Sequence, residues 1–308
     1  MRRRFTALVK RALLAGGHYD RRLRVDTFPG VAVLCYHGVR DGGGGRPVTL
    51  EGLHVRAVEL EAHCRLIRRT CHPISLAQWQ RARAGGPPLP ARPVLLTFDD
   101  GYRTVFSLAR PILQRYGIPA VILLCSDPIA GNRLFWYDGL ARARGDGEVE
   151  RAKTVDFDAW RALATDWSTP ADDADPNAPL TPAQVRELAA TPGIEIGGHT
   201  ASHAILARAT LEQQRAEIRR NKACLEAWIE RPVTAFAYPN GRPGEDYTAE
   251  TVALVREGGF ATAFTTRDGF ATPVEEPLEH SRFLVLAGVS AAELAHRLCY
   301  SWRRGERR

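Results

Sequence analysis

Two short stretches of the chain hold residues whose types and spacing could do chemistry together. The first is Thr97-Phe98-Asp99-Asp100-Gly101-Tyr102, with two adjacent carboxylates. At the end of an apolar run such a pair is costly to bury unless a cation or hydrogen bonds compensate it. Taken alone, the pair is equally an Asx-turn closing a strand. The second stretch is His199-Thr200-Ala201-Ser202-His203. Its i, i+4 spacing predicts both imidazoles on one face of a helical turn, the arrangement of HExxH metal sites, although this sequence is not HExxH. Gly197 and Gly198, just before it, let the chain approach a ligand closely. Two histidines and one aspartate give three hard-to-borderline donors with coordination positions left open. That donor set suits a catalytic divalent metal ion rather than a structural one. The neighbouring carboxylate is then free to act as a base on water.

These residues sit in a pattern of alternating strands and helices. Apolar runs at 31–36, 94–98, 119–125, 194–196, 233–238, 260–265 and 282–286 predict strands. Helices are expected at 53–69, 104–116, 136–143 and 248–257. Thr181, Thr210 and Ser290 open three more with capping-box or N-cap signatures. Residues 42–45 read as a glycine loop. Residues 145–179, with charge runs and several prolines, read as an irregular excursion from the main fold rather than a separate domain. The alternation predicts an α/β fold, a mostly parallel sheet or barrel with helices outside. Chemistry in such folds sits at the C-terminal ends of strands. His37, Asp99, Asp100, His199 and the turn from Tyr238 to Gly241 fall there.

On these residues the chain resembles the polysaccharide deacetylase family, also called NodB-homology or family-four carbohydrate esterases. The resemblance rests on Thr97-Phe98-Asp99-Asp100-Gly101, on His199 and His203 with their intervening threonine, and more weakly on Phe236-Ala237-Tyr238-Pro239-Asn240-Gly241. It spans roughly residues 31 to 286. It implies a distorted (β/α) barrel. It implies that Asp99 is the catalytic base and that Asp100, His199 and His203 bind a divalent metal ion, usually zinc in the family. The implied reaction is removal of acetyl groups from N-acetylated sugars. The Tyr238-Pro239-Asn240 turn and Arg282 are assigned to substrate binding.

The chain departs from the family pattern in three places. The arginine that normally follows the phenylalanine of the third motif, and orients the base, is replaced by Ala237; Arg282 on the last strand is a candidate for the missing guanidinium. The late leucine-x-histidine motif, source of the general acid, is not identifiable, and neither His280 nor His296 ends an apolar strand. The tryptophan-bearing fourth motif is not identifiable either. Instead Tyr36-His37-Gly38-Val39 near the N-terminus resembles the opening of deacetylases from exopolysaccharide systems. A barrel closed with its strands in permuted order would bring His37 to the place of the late histidine. Hydrolysis of an amide needs a proton donor for the leaving amine, and His37 directly follows a long apolar strand. His37 is therefore expected to be that donor. An O-acetyl esterase would use the same residues. A metal-free, inactive domain that only binds glycan is the reading from another class, and metal content separates it.

Bulk properties set the remaining bounds. The 308 residues, 44% hydrophobic and 25% charged, are ordinary for a globular chain and suffice for one large α/β domain. The reading is a basic N-terminal segment at 1–28 and a single deacetylase domain at 29–308. The net charge of +7 gathers at 1–24 and 303–308. This allows peripheral contact of the N-terminal segment with the inner membrane face. No aromatic-interleaved basic stripe points to nucleic acid. The six cysteines form no CxxC pair, and together with the lack of a 7–15-residue apolar run near the start they predict a cytoplasmic protein.

Overall fold

The computed structural model describes residues 2–42 and 48–301. The glycine loop beyond Gly42 and the basic run at 303–308 lie outside the described residues. The strands are β1 (Ala32–Tyr36), β2 (Gly38–Arg40), β3 (His54–Arg56), β4 (His72–Pro73), β5 (Pro93–Phe98), β6 (Ala120–Leu124), β7 (Ile194–Gly198), β8 (Ala235–Ala237), β9 (Thr262–Phe264) and β10 (Phe283–Leu284). The helices are α1 (Arg2–Ala15), α2 (His18–Val25), α3 (Ala57–Thr70), α4 (Leu76–Arg83), α5 (Arg110–Tyr116), α6 (Ser126–Gly131), α7 (Trp136–Arg144), α8 (Asp146–Ala152), α9 (Phe157–Trp167), α10 (Pro182–Ala190), α11 (Leu211–Ile229), α12 (Ala249–Glu257) and α13 (Ala291–Tyr300).

β1, β5 and β6 are buried along their whole length, as unbroken apolar runs must be when a parallel sheet is covered on both faces. The sheet runs β10-β1-β5-β6-β7-β8-β9, every pair parallel, with β4 beside the start of β5. Residues 280–284 carry the sheet towards closure: His280 bridges Phe264 of β9, while Phe283 and Leu284 pair with Leu34 and Cys35 of β1. The result is a distorted (β/α) barrel. Its strand order is permuted, so β1 lies between the last strand and β5.

Side-chain alternation divides the core. Leu34, Tyr36, Leu96 and Phe98 face the surrounding helices, while Val33, Leu95, Val121 and Phe264 fill the barrel interior with Trp79 of α4. Register pairs Val33 with Leu95 and Cys35 with Thr97. Along this inward row the side chains change from apolar to polar towards the C-terminal ends of the strands. The polar end is where the site forms.

Helix starts follow local signals. Ser75, Thr181, Thr210 and Thr248 each close a capping box. The stretch 145–179, expected to be irregular, contains α8 and α9. With α7 they bury a cluster of their own built on Phe135, Trp136, Leu140, Val149, Phe157 and Trp160. Gly139 of α7 lies so close to the carbonyl of Trp167 that an added Cβ would collide with it. The N-terminal segment is helical as well, and α1 and α2 pack against α13.

Buried His63 of α3 sets a test of acid stability. Its Nδ1 accepts from the Tyr36 hydroxyl at 3.1 Å and its Nε2 donates to the carbonyl of Val289 at 2.8 Å. Burial, only partly opposed by the Val289 bond, lowers its pKa from 6.5 to about 4. Between these values the unfolded chain binds a proton that the folded chain refuses. Stability therefore falls as pH drops through this window, by about 1.4 kcal/mol per pH unit from this one group. Denaturation of the parent and His63→Gln at pH 6.5, 5.5 and 4.5 should show a shallower acid loss in the variant; equal slopes would mean that His63 titrates normally when folded.

Candidate active site

The loops after β1, β5, β7 and β8 converge on a cavity of about 340 Å³. His37, Asp99, Asp100, His199, His203, Tyr238 and Asn240 all line it. A larger cavity of about 590 Å³ opens at the opposite rim beside Phe28, Trp79 and Leu89 and contains none of these groups.

Asp99 ends the inward row Leu95, Thr97, Asp99 and is 2% exposed. Its backbone N–H donates to the carbonyl of Tyr36 at 2.9 Å, which ties the end of β5 to the end of β1. Its carboxylate meets Arg282 in a bidentate pair, Nη1 to Oδ1 at 2.7 Å and Nη2 to Oδ2 at 2.8 Å. Arg282 also donates to Thr97 Oγ1 at 3.1 Å and from Nε to the carbonyl of Thr265 at 2.8 Å. The Cys35 thiol donates to Asp99 Oδ2 at 3.5 Å. Burial pushes the Asp99 carboxyl up, but the charge and hydrogen bonds of Arg282, together with nearby His199 and His37, outweigh it and hold the pKa below its ordinary value.

Asp100 turns the other way. Its backbone is left-handed, with φ 75°. Its Oδ1 lies 3.4 Å from His199 Nε2 and 3.4 Å from His203 Nε2. All three side chains are buried, and their candidate ligand atoms lie within 4.8 Å of one another. His199 Nδ1 donates to the carbonyl of Ala237 at 2.8 Å, which fixes the tautomer and aims Nε2 at Asp100. His203 rests against the ring of Tyr137, centroids 4.9 Å apart. Burial and the nearby His199 hold the His203 ring neutral, its pKa lowered to about 3. Asp100 Oδ1 is a buried acceptor without a hydrogen-bond partner. A buried, converging Asp-His-His set with an unsatisfied carboxylate oxygen fits a divalent cation.

The i, i+4 histidines do not lie on a helical turn. Residues 199–203 form a loop in which Thr200 and His203 have φ of 62° and 61°. The left-handed residues fold the chain back, so the rings meet with centroids 4.9 Å apart. Non-glycine residues in this region cost about 1 kcal/mol or more each and gather at functional sites.

His37 has a ring nitrogen within 4.8 Å of both the Asp99 carboxylate and Cys35 Sγ. Its Nδ1 has no hydrogen-bond partner. The competing histidines lie elsewhere: His280 is buried against Trp79, centroids 4.5 Å apart, and His296 faces the Tyr19 hydroxyl at 3.1 Å.

Three substrate-binding expectations need correction. Arg282 is 1% exposed, its guanidinium is engaged by Asp99, Thr97 and Thr265, and it does not line the cavity. Tyr238 reaches the cavity, but its hydroxyl donates to the carbonyl of Leu278 at 2.9 Å and its ring stacks on Tyr247. Pro239 is buried and does not line the cavity. Asn240 remains at the rim. Sequence reading missed the wall contributed by α8, where Val149, Glu150 and Lys153 face the cavity, and the wall of Tyr137, Arg242 and Thr266. No motif marks these positions; α7 and α8 deliver Tyr137, Val149 and Glu150, with Lys153 just beyond α8, and the segments after β8 and β9 deliver Arg242 and Thr266.

The parallel strand order and the placement of these side chains at the C-terminal rim are those of a deacetylase-type distorted (β/α) barrel. The chain belongs to the polysaccharide deacetylase family, which it matches over residues 86–263. It is 23% identical over 261 residues to YxkH of Bacillus subtilis (strain 168), a protein assigned to the polysaccharide deacetylases, covering 84% of this chain and 73% of that one. It is 36% identical over 93 residues to the poly-beta-1,6-N-acetyl-D-glucosamine N-deacetylase of Escherichia coli (strain K12), covering 30% of this chain and 13% of that protein. Among solved structures, the Streptococcus pyogenes deacetylase PplD in complex with acetate shares the fold. Its TM-score is 0.63 at 19% identity, covering 88% of this chain and 99% of that one.

The Arg282–Asp99 pair predicts a specific energetic signature. Arg282→Met leaves a buried carboxylate without compensation and should cost about 3–5 kcal/mol of unfolding free energy. Asp99→Asn/Arg282→Met should lose less than the sum of the two single variants, since each single change strands the other partner. Additive losses in chemical denaturation would show that the pair is not coupled.

Proposed function

We propose that this chain is a metal-dependent N-deacetylase that hydrolyses the acetamide of N-acetylhexosamine units in a polysaccharide or its precursor. The observation that carries this reading is the buried Asp100-His199-His203 donor set directly beside an arginine-held Asp99. The sugar class is supported by the stretch shared with the N-acetyl-D-glucosamine polymer deacetylase. The imidazole and carboxylate donors suit zinc. A divalent ion held by Asp100, His199 and His203 supplies Lewis acidity to the acetyl carbonyl and to water.

The chain's own groups carry the protons. Asp99, kept ionised by Arg282, accepts a proton from the attacking water as the new C–O bond forms. His37 gives a proton to the sugar nitrogen as the C–N bond breaks, so the products are acetate and a free amine. Asn240 at the rim, with Tyr137 and Thr266 in the wall, contacts the sugar. With Arg282 standing in for the arginine missing at Ala237, the inactive glycan-binding reading loses its motive.

Acetate release from N-acetylglucosamine oligomers, with and without zinc, cobalt or nickel, tests the proposal. Asp99→Asn should abolish turnover yet retain metal, whereas His203→Ala should lose metal. His37→Ala should reduce turnover by roughly 10²–10⁴ with metal content unchanged, and should spare an activated aryl acetate whose leaving group needs no proton. Absence of both metal uptake and acetate release in the parent would refute the activity. Full activity of His37→Ala on the oligomers would refute only the acid assignment.

The chain is also proposed to work in the cytoplasm, since its six cysteines form no disulfide and five of them are buried thiols. A fusion to a reporter active only in the periplasm should stay silent; signal from it would overturn this placement.

A further inference from the structure

α1 has two unlike sides. One packs against α13, where Lys10 holds Glu293 at 2.5 Å and Leu13 and Leu14 meet the core. The other turns Phe5, Leu8, Val9 and Ala12 to solvent, with Phe5 70%, Leu8 63% and Val9 42% exposed. At helical spacing these four residues fall within an arc of about 100°. Apolar side chains exposed singly are ordinary, but a contiguous stripe along one helix marks a surface that something covers.

The charge around the stripe identifies what covers it. Besides the paired Lys10, α1 contains Arg2, Arg3, Arg4 and Arg11 and no acid. α2 adds Arg21 and Arg24; its Arg22 pairs with Asp26 at 3.1 Å, and its one acid, Asp20, is held by Arg69 at 2.8 Å. An apolar stripe set in such a cationic surround matches an interface that is hydrocarbon beneath a layer of negative charge. A neutral protein groove would answer the stripe but not the arginines. Lys10 of α1 also lines a cavity next to the Asp99 cavity. This cavity, of about 540 Å³ and lined also by Glu293, His296 and Arg297, shares Leu284 with the catalytic cavity.

We infer that α1 is an interfacial anchor that lies in the headgroup layer of an anionic membrane and sets the catalytic rim beside the bilayer surface. Phe5, Leu8 and Val9 enter the acyl boundary while the basic residues meet lipid phosphates. The inference does not rest on the proposed activity.

Co-sedimentation of the full chain with vesicles tests it. The chain should bind vesicles of mixed phosphatidylglycerol and phosphatidylcholine, and bind less as salt is raised. Phe5→Glu/Leu8→Glu should lower the lipid partition by about two orders of magnitude or more, from the apolar burial of two large side chains. Its unfolding midpoint should match the parent's, because both positions are exposed. Failure of the parent to bind anionic vesicles, or equal binding by the double variant, overturns the inference. Equal binding to pure phosphatidylcholine overturns the anionic surface as the partner. A parent that dimerises without lipid, with a monomeric double variant, assigns the stripe to a second copy of the chain and overturns it as well.

Discussion

A carboxylate at the inner end of a barrel strand must have its charge answered, and in this molecule Arg282 answers it. The guanidinium binds both oxygens of Asp99, the hydroxyl of Thr97 and the carbonyl of Thr265, so it joins β5 to the segment after β9. The segment that carries it, 280–284, is also the one that touches β9 at its start and β1 at its end. Charge compensation and barrel closure are thus one structural event. Ala237 contributes its backbone carbonyl to His199 Nδ1.

The adjacent carboxylates are stabilised by opposite means. Asp99 faces a permanent cation in fixed geometry. Asp100 faces two imidazoles, one oriented by a carbonyl and the other by an aromatic edge. The left-handed backbone at Asp100 turns the chain out of the line of β5 into the loop beyond. The backbone of Thr200, His203 and Asn240 is bent in the same sense around the same cavity. Local strain at four positions is supported by a rim whose strands β1, β5 and β8 are buried throughout.

Much of this was legible from residue order. The long apolar runs became β1, β5 and β6, because a fully covered parallel strand leaves an unmistakable signature. The capping residues Thr181, Thr210 and Ser290 marked helix starts because the cap is a local bond. The helical turn expected at 199–203 failed because i, i+4 spacing also fits a loop doubled back by left-handed residues. The irregular reading of 145–179 failed because its prolines and charges punctuate short helices whose apolar faces meet only in three dimensions. Arg282 could be nominated but not placed. Its partner lies 183 positions earlier, and only the permuted strand order brings the two together.

That separation has a consequence for the order in which the molecule is made. Every candidate metal ligand has been synthesised once residue 203 leaves the ribosome, yet the cation that compensates Asp99 comes 79 positions later. Until then the end of β5 carries a charge that burial would penalise, and β1 lacks one of its two neighbours. The rim is therefore completed by the segment at 280–284, through contacts of long sequence separation. Premature termination anywhere before the closing segment would leave a protein that owns the ligands but cannot bury the base.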